Sequence, residues 1–420
     1  MHAWVAARWG EWSAPGPGEP GEISGLGDWS VGLASWPGAC SRLGQAPRGV
    51  GGPKGRRHMS ELGVGDTVKI LDLGVRSVQV DLANWSVRAA GLARASGARQ
   101  APTADPARDA AAAVVGYLQV HGAVLGPDQV ALAPSLEVAR RSLLSALASP
   151  GDEVLVPSPW GALLGEWSAP GVRLVPYPLR YDGTWRLDRR ALERLVGRQT
   201  RAILLAAPAH PTGGCVAEGE LAAVAALCAR RDLALIGDEA LLDTAFDATP
   251  SVVSTVDALA IHVSGLATVS GTEGGPAWIA CAGPERLRSA LLARLQQALG
   301  PLDWARHAGL AGHLDGRGEF LGALRRRLAV NRALLELAAL REAPWSALES
   351  GGGWAGLLHI GGARSAERLC AELLASGVRI LPAARFGLRP DEYLVVSLLT
   401  EPLRLQEGLE RLEARLRAGL

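Results

Sequence analysis

At 420 residues, with 48% hydrophobic and 20% charged side chains, the chain can bury a sizeable core without disulfide or metal staples. A formal net charge of +1 provides neither a basic nucleic-acid face nor an acidic tail, which leaves a small-molecule site as the default expectation. Five widely spaced cysteines with no CxxC pair speak against a disulfide framework or a zinc site and for a cytoplasmic protein, and no apolar run reaches the roughly 18 residues that a bilayer span requires.

Residues 1–58 hold Trp4, Trp9, Trp12, Trp29 and Trp36 among Gly, Pro and Ala, with no sustained period of 2 or 3.6, and are expected to be disordered. Met59 is the only methionine besides Met1 and is the expected natural start. An N-terminal arm would then occupy 59–100. From residue 129 short apolar runs alternate with helical patterns. The runs are QVALAP (129–134), EVLVP (153–157), RLVPY (173–177), RAILLAAP (201–208), LALIGD (233–238), ALAIHVS (258–264) and AWIAC (277–281). One helix follows the first run from Leu136, and another places Leu221, Val224, Ala225 and Cys228 on one face. Seven strands alternating with helices predict an α/β large domain over 101–300, with a mainly parallel sheet covered on both faces. Residues 284–340 are helical in pattern. GLLHI, a helix from Ser365, VRILP, YLVVSLL and a final amphipathic helix predict a smaller α+β domain over 301–420.

Ligands of such sheets bind beyond the carboxyl ends of the strands, so the residues just past each run are the candidates. Ser135 and Leu136 open a helix, where free N–H groups and the dipole suit a phosphate; an ordinary serine cap is the equal alternative. Trp160 could stack on a planar ring or simply pack. His210, in the turn Ala209 to Gly213, could reach a ligand oxygen, although most His-Pro turns carry no function. Asp238 could hold a protonated ring nitrogen or cap a helix.

Taken in order, these four sites resemble the fold type I pyridoxal-phosphate enzymes of the class I/II aminotransferase superfamily. LRYDGTWRLDRRALERLV, AILLAAPAHPTGGCVAEGELAAVAALCARRDLALIGDEALLDTAF, GEFLGALRRRLAVNRALL with its closing Asn331-Arg332, and GVRILPAARFG are similar, more narrowly, to the cystathionine β-lyase-like (MalY/PatB type) branch. The resemblance implies that Ser135 and Leu136 cradle the cofactor phosphate, that Asp238 meets the pyridine nitrogen, and that Trp160 replaces a stacking tyrosine. His210 stands where an asparagine usually contacts the phenolic oxygen, and Leu241 replaces a tyrosine near the same atom. Ser264 is retained from a Ser-x-Ser-Lys motif whose lysine position is Ala267. The phosphate arginine eight residues on is Gly275, and the substrate-carboxylate arginine falls on Val395.

Of 43 basic residues only Lys54 and Lys69 are lysines. Codon bias can exchange surface lysines for arginine, but it cannot harmlessly remove one that bonds a cofactor covalently. The leading expectation is therefore a degenerate aminotransferase or C–S lyase relative, acting as a binding or regulatory subunit in a homodimer or in a heterodimer with an active homologue. A second reading is an enzyme of altered chemistry, using pyridoxal or pyridoxamine phosphate noncovalently or no cofactor at all. There His210, His262 and Glu273 are the nearest titratable groups, and His262 is the candidate base on an amino or keto acid. A core histidine is the plainer alternative for His262.

Overall fold

The computed structural model describes residues 78–418 apart from 87–90, 93–104, 161–164, 273, 301–308, 341–342 and 362–364. The expected disordered extension over 1–58, Met59, both lysines, Glu273 and most of the 59–100 arm lie outside the described residues.

The first described strand, β1 (Val80–Asp81), is followed by the strands of a central sheet. These are β2 (Val130–Ala133), β3 (Glu153–Ser158), β4 (Arg173–Tyr181), β5 (Trp185–Leu187), β6 (Thr200–Ala206), β7 (Ala234–Asp238), β8 (Leu259–Gly265) and β9 (Ala277–Ala282), in the order β2-β9-β8-β7-β6-β3-β4-β5. β3 pairs in parallel with β4 and β6, β6 with β7, and β7 with β8. β9 runs antiparallel between β8 and β2. All seven expected strands are present, and the eighth is a correction to the sequence reading. β5 pairs with β4 through Leu179↔Leu187 and Tyr181↔Trp185, and three residues are too few to display a period of 2.

Alternation along the strands divides the large core into two faces. Leu155, Ile203, Leu205, Leu235 and Ala260 pack on one side, while Val154, Val156, Leu204, Ile236 and Ile261 pack on the other. The first side is covered by α1 (Pro106–Gln119), through Val114 and Leu118. The second is covered by α2 (Leu136–Leu147), through Ala139, Leu143 and Leu144. After α3 (Arg189–Leu195) comes α4 (Glu218–Arg231), which buries the predicted stripe Leu221, Val224, Ala225 and Cys228 on the first side. The short α5 (Leu266–Ser270) is followed by α6 (Glu285–Leu299), with Leu291 and Leu295 on the second side.

Beyond α7 (Leu310–Asp315) and the long α8 (Arg317–Leu340) lies a smaller antiparallel sheet. It combines β10 (Ser346–Ala347), β11 (Ala355–His359), β13 (Leu381–Pro382) and β14 (Tyr393–Ser397) in the order β10-β11-β14-β13. Helices α9 (Ala366–Ala375) and α10 (Pro402–Arg417) pack Leu369, Leu373, Leu405, Leu409 and Leu412 against it. The VRILP run is split: β12 (Val378–Arg379) leaves this sheet and pairs in parallel with β1. Arg379 clamps that junction by donating from its guanidinium to both carboxylate oxygens of Asp81 at 2.8 Å. Asn331 is fully buried in α8, and its Nδ2 donates to the carbonyls of Leu398 (2.7 Å) and Thr400 (2.6 Å). It thereby ties the long helix to the turn after β14.

Candidate functional site

The carboxyl ends of the parallel strands bring the sequence candidates to one edge of the large sheet. Ser135 caps α2, its Oγ accepting from the Val138 N–H at 3.3 Å, while Leu136 opens the helix and lies against Gly265 at the end of β8. Asp238 ends β7 and Ser264 is the penultimate residue of β8. Asp238, Ser264 and Trp160 are 5%, 0% and 1% exposed, so any chemistry here takes place away from water.

A charged side chain that none of the strand-end motifs indicates commands this edge. Arg140 projects from α2, 4% exposed, and its guanidinium donates to Asp238 Oδ1 at 2.9 Å and forms an ion pair with Oδ2 at 2.8 Å. The indole N–H of Trp167, itself fully buried, donates to Asp238 Oδ2 at 2.9 Å. The other arm of Arg140 is paired with Glu166, and its carbon end lies 6.0 Å from the Trp167 ring. Burial disfavours the Arg140 cation, but the carboxylates of Asp238 and Glu166 outweigh burial and hold its pKa above the ordinary arginine value. For Glu166 burial prevails and raises its pKa in spite of Arg140. Arg140 stands three and four residues before the core residues Leu143 and Leu144. A charge on an apolar helical stripe requires a buried partner, and that was the readable signal. The tryptophan that reaches Asp238 is Trp167; Trp160 instead packs against it, ring centroids 6.4 Å apart.

His210 is wedged edge-on between Trp85 (4.9 Å) and Phe386 (5.4 Å), and thus joins the turn after β6 to the N-terminal arm and to the segment after β13. Burial lowers its pKa from 6.5 to about 4. The folded chain therefore resists a proton that the unfolded chain accepts. The contribution to stability is complete above pH 6.5 and is lost as the pH falls from there through about 4. Allowing for partial exposure of the ring, about 2 kcal/mol is at stake. His210→Asn should flatten this acid limb in urea-unfolding midpoints recorded against pH. An unchanged slope would mean that His210 is not the group responsible.

His262, the candidate base, is fully buried in the middle of β8. Its Nε2 accepts from the Trp278 indole N–H at 3.0 Å. An indole nitrogen can only donate, so the His262 proton sits on Nδ1 and is donated to Glu239 Oε2 at 2.5 Å. Glu239 also accepts from Ser251 Oγ (2.5 Å) and the Val252 N–H (2.7 Å). Both ring nitrogens are hydrogen-bonded within the core, the geometry of the plainer reading of His262 as a core histidine.

The remaining positions are without charge. Ala267 lies in α5 and is half-buried. Gly275 is exposed at φ +112°, with nothing nearer than 3.7 Å to where a Cβ would be. Leu241 is buried after β7, and Val395 is fully buried in β14.

The family model for aminotransferase class I and II matches residues 77–412. The chain belongs to that family. Arginine–pyruvate transaminase AruH of Pseudomonas aeruginosa is 28% identical over 161 residues, 37% of this chain and only 40% of that relative. The putative aminotransferase YugH of Bacillus subtilis is 26% identical over 295 residues, 68% of this chain and 74% of its own. Among solved structures, a single mutant of Thermus thermophilus aspartate aminotransferase superposes with a TM-score of 0.67 at 20% identity, covering 81% of this chain and 92% of that one. N-succinyldiaminopimelate aminotransferase from Mycobacterium tuberculosis gives 0.64 at 24%, with 78% and 88% covered. The fold of this family member is that of the type I aminotransferases.

Membership implies pyridoxal phosphate, whose attachments are an aldehyde that takes an amine, a phosphate dianion and a ring nitrogen. Uncharged polar atoms remain for it: Ser264 Oγ, Trp160 Nε1 and His210 Nδ1 are buried without a hydrogen-bond partner among the described residues. The charged partners do not. Both oxygens of Asp238 are engaged, Arg140 is shared between two carboxylates, and Gly275 has no side chain. The residues present do not fit the group.

Proposed function

We propose that this chain is a family member that has left lysine-dependent transamination and β-elimination behind, with Ala267 at the lysine position, and that it serves as a binding or regulatory subunit. The observation that carries this reading is the lysine inventory: only Lys54 and Lys69 exist, both N-terminal to β1. The substitutions at Ala267, Gly275 and Val395 support one another, since the first removes the amine and the other two remove the charges on phosphate and carboxylate. A charge-assisted pair contributes about 2 kcal/mol and acid–base help about 10²- to 10⁴-fold, so joint loss leaves little of the family's chemistry. The MalY/PatB-type stretches support an ancestry among the C–S lyase-like enzymes. Its setting is the cytoplasm, in a homodimer or beside an active homologue, with an amino or keto acid as the ligand class.

The test is incubation of the purified full chain with pyridoxal phosphate, borohydride reduction and peptide mass analysis. No lysine should retain a reduced pyridoxyl group. Stoichiometric labelling of Lys69 or Lys54 would overturn the proposal.

A further inference from the structure

We infer that Arg140 is a built-in counter-cation that occupies Asp238 in place of a cofactor ring nitrogen, so that the strand-end site is closed electrostatically and the folded chain excludes pyridoxal-type ligands. The inference rests on the assignment of Asp238 proposed above. It goes further by naming the residue that shuts the site.

One guanidinium nitrogen of Arg140 donates to Asp238 Oδ1 at 2.9 Å and lies 2.8 Å from Oδ2 as an ion pair, and the Trp167 indole N–H donates to Oδ2 at 2.9 Å. A carboxylate offers about four acceptor positions. With both oxygens engaged and the carboxylate only 5% exposed, a ligand nitrogen would have to compete with Arg140 and Trp167 for it. Charge opposes a ligand there as well. A pyridinium meeting Asp238 would put a second cation within a few ångströms of Arg140 in a water-poor site, where like charges repel strongly. A neutral pyridine nitrogen would bring an acceptor to an acceptor. Either way the carboxylate's value to the ring is cancelled by the arginine already there. Nor is Arg140 free to leave. It is pinned by Glu166 and flanked by the Trp167 ring, so swinging aside would leave a buried guanidinium short of a partner.

The two charges also compensate each other within the chain. Asp238 would otherwise be a buried, uncompensated carboxylate at the mouth of β7, and Arg140 from the neighbouring helix neutralises it within the same chain.

The experiment titrates full-length protein with pyridoxamine phosphate, a probe that needs no lysine, and follows tryptophan fluorescence, because Trp167 touches Asp238 and Trp160 packs on Trp167. Wild type should show no saturable response up to about 1 mM, whereas Arg140→Leu should bind at least about tenfold more tightly. Arg140→Gln, which removes the charge but keeps a hydrogen-bond donor, provides the same comparison if the leucine variant does not fold. Saturable binding by wild type well below 1 mM would overturn the inference, as would variants that bind no better than wild type. The borohydride result keeps the two proposals separate. Noncovalent binding by wild type without a reducible lysine adduct would sink the role given to Arg140 and leave the lysine-free reading standing.

Discussion

Val395→Arg should destabilise the protein by about 4 kcal/mol or more and should not restore a carboxylate receptor. Val395 is proposed to stand at the family's substrate-carboxylate arginine, but in this chain it is a core residue. It is fully buried in β14, between Leu357 of β11 and Leu381 of β13. Its cluster comprises Ala355, Leu357, Ala383 and Phe386, with Trp85 and Trp185 at the margin. Its neighbours across both strands, Leu357 and Leu381, and the side chains packed around it are apolar, so an introduced guanidinium would be buried among hydrophobic groups. Val395→Ile retains the volume class and should cost under about 1.5 kcal/mol, which separates the effect of charge from that of size. Urea midpoints of the two variants decide the matter. A Val395→Arg protein as stable as wild type that also bound a keto acid would show that the position still opens onto a site.

The apolar character of that cluster and the Arg140 network belong to one pattern. Under the proposed assignment of the positions, Arg140 supplies a cation to Asp238 from within, while Val395 and Gly275 bring no charge. At Asp238 the buried carboxylate is matched by a residue of the chain itself. His210 follows the same logic: burial between Trp85 and Phe386 holds it neutral.

Residues with strong local signatures could be read from the chain. The seven long strands, the cap at Ser135 and the stripe from Leu221 to Cys228 follow from period and turn chemistry alone, because one buried face or two dictates the pattern. The placement of Asp238 and Ser264 at strand ends followed from topology. Contacts across long sequence separations could not be read. Trp167 reaches Asp238 over 71 residues, and Arg140 reaches it over 98. Nothing local distinguishes the indole that donates from the one, at Trp160, that only packs. β5 and β10 escaped because strands of two or three residues display no alternation. The role of His262 depended on Trp278, its cross-sheet neighbour on β9, since an indole donor fixes which nitrogen holds the proton.

Glu239→Ala is expected to be the second most damaging change, at about 3–5 kcal/mol. The residue is 1% exposed and ties three segments together: the end of β7, the turn at Ser251 and Val252, and β8 through His262. Removing its carboxylate strands a hydroxyl, a backbone N–H and an imidazole N–H in a dry region, each of which loses an acceptor. Glu239→Gln keeps one acceptor oxygen and the shape, so its cost should fall to about 1–2 kcal/mol. His262→Ala should follow the alanine variant in urea midpoint, since it undoes the same junction from the other side and leaves the Trp278 indole unsatisfied. This ordering separates structure from chemistry. A catalytic His262 would be dispensable for stability and indispensable for turnover, whereas a structural one lowers the midpoint in step with Glu239. A His262→Ala protein with the wild-type midpoint would refute the structural assignment and bring the imidazole back as a base.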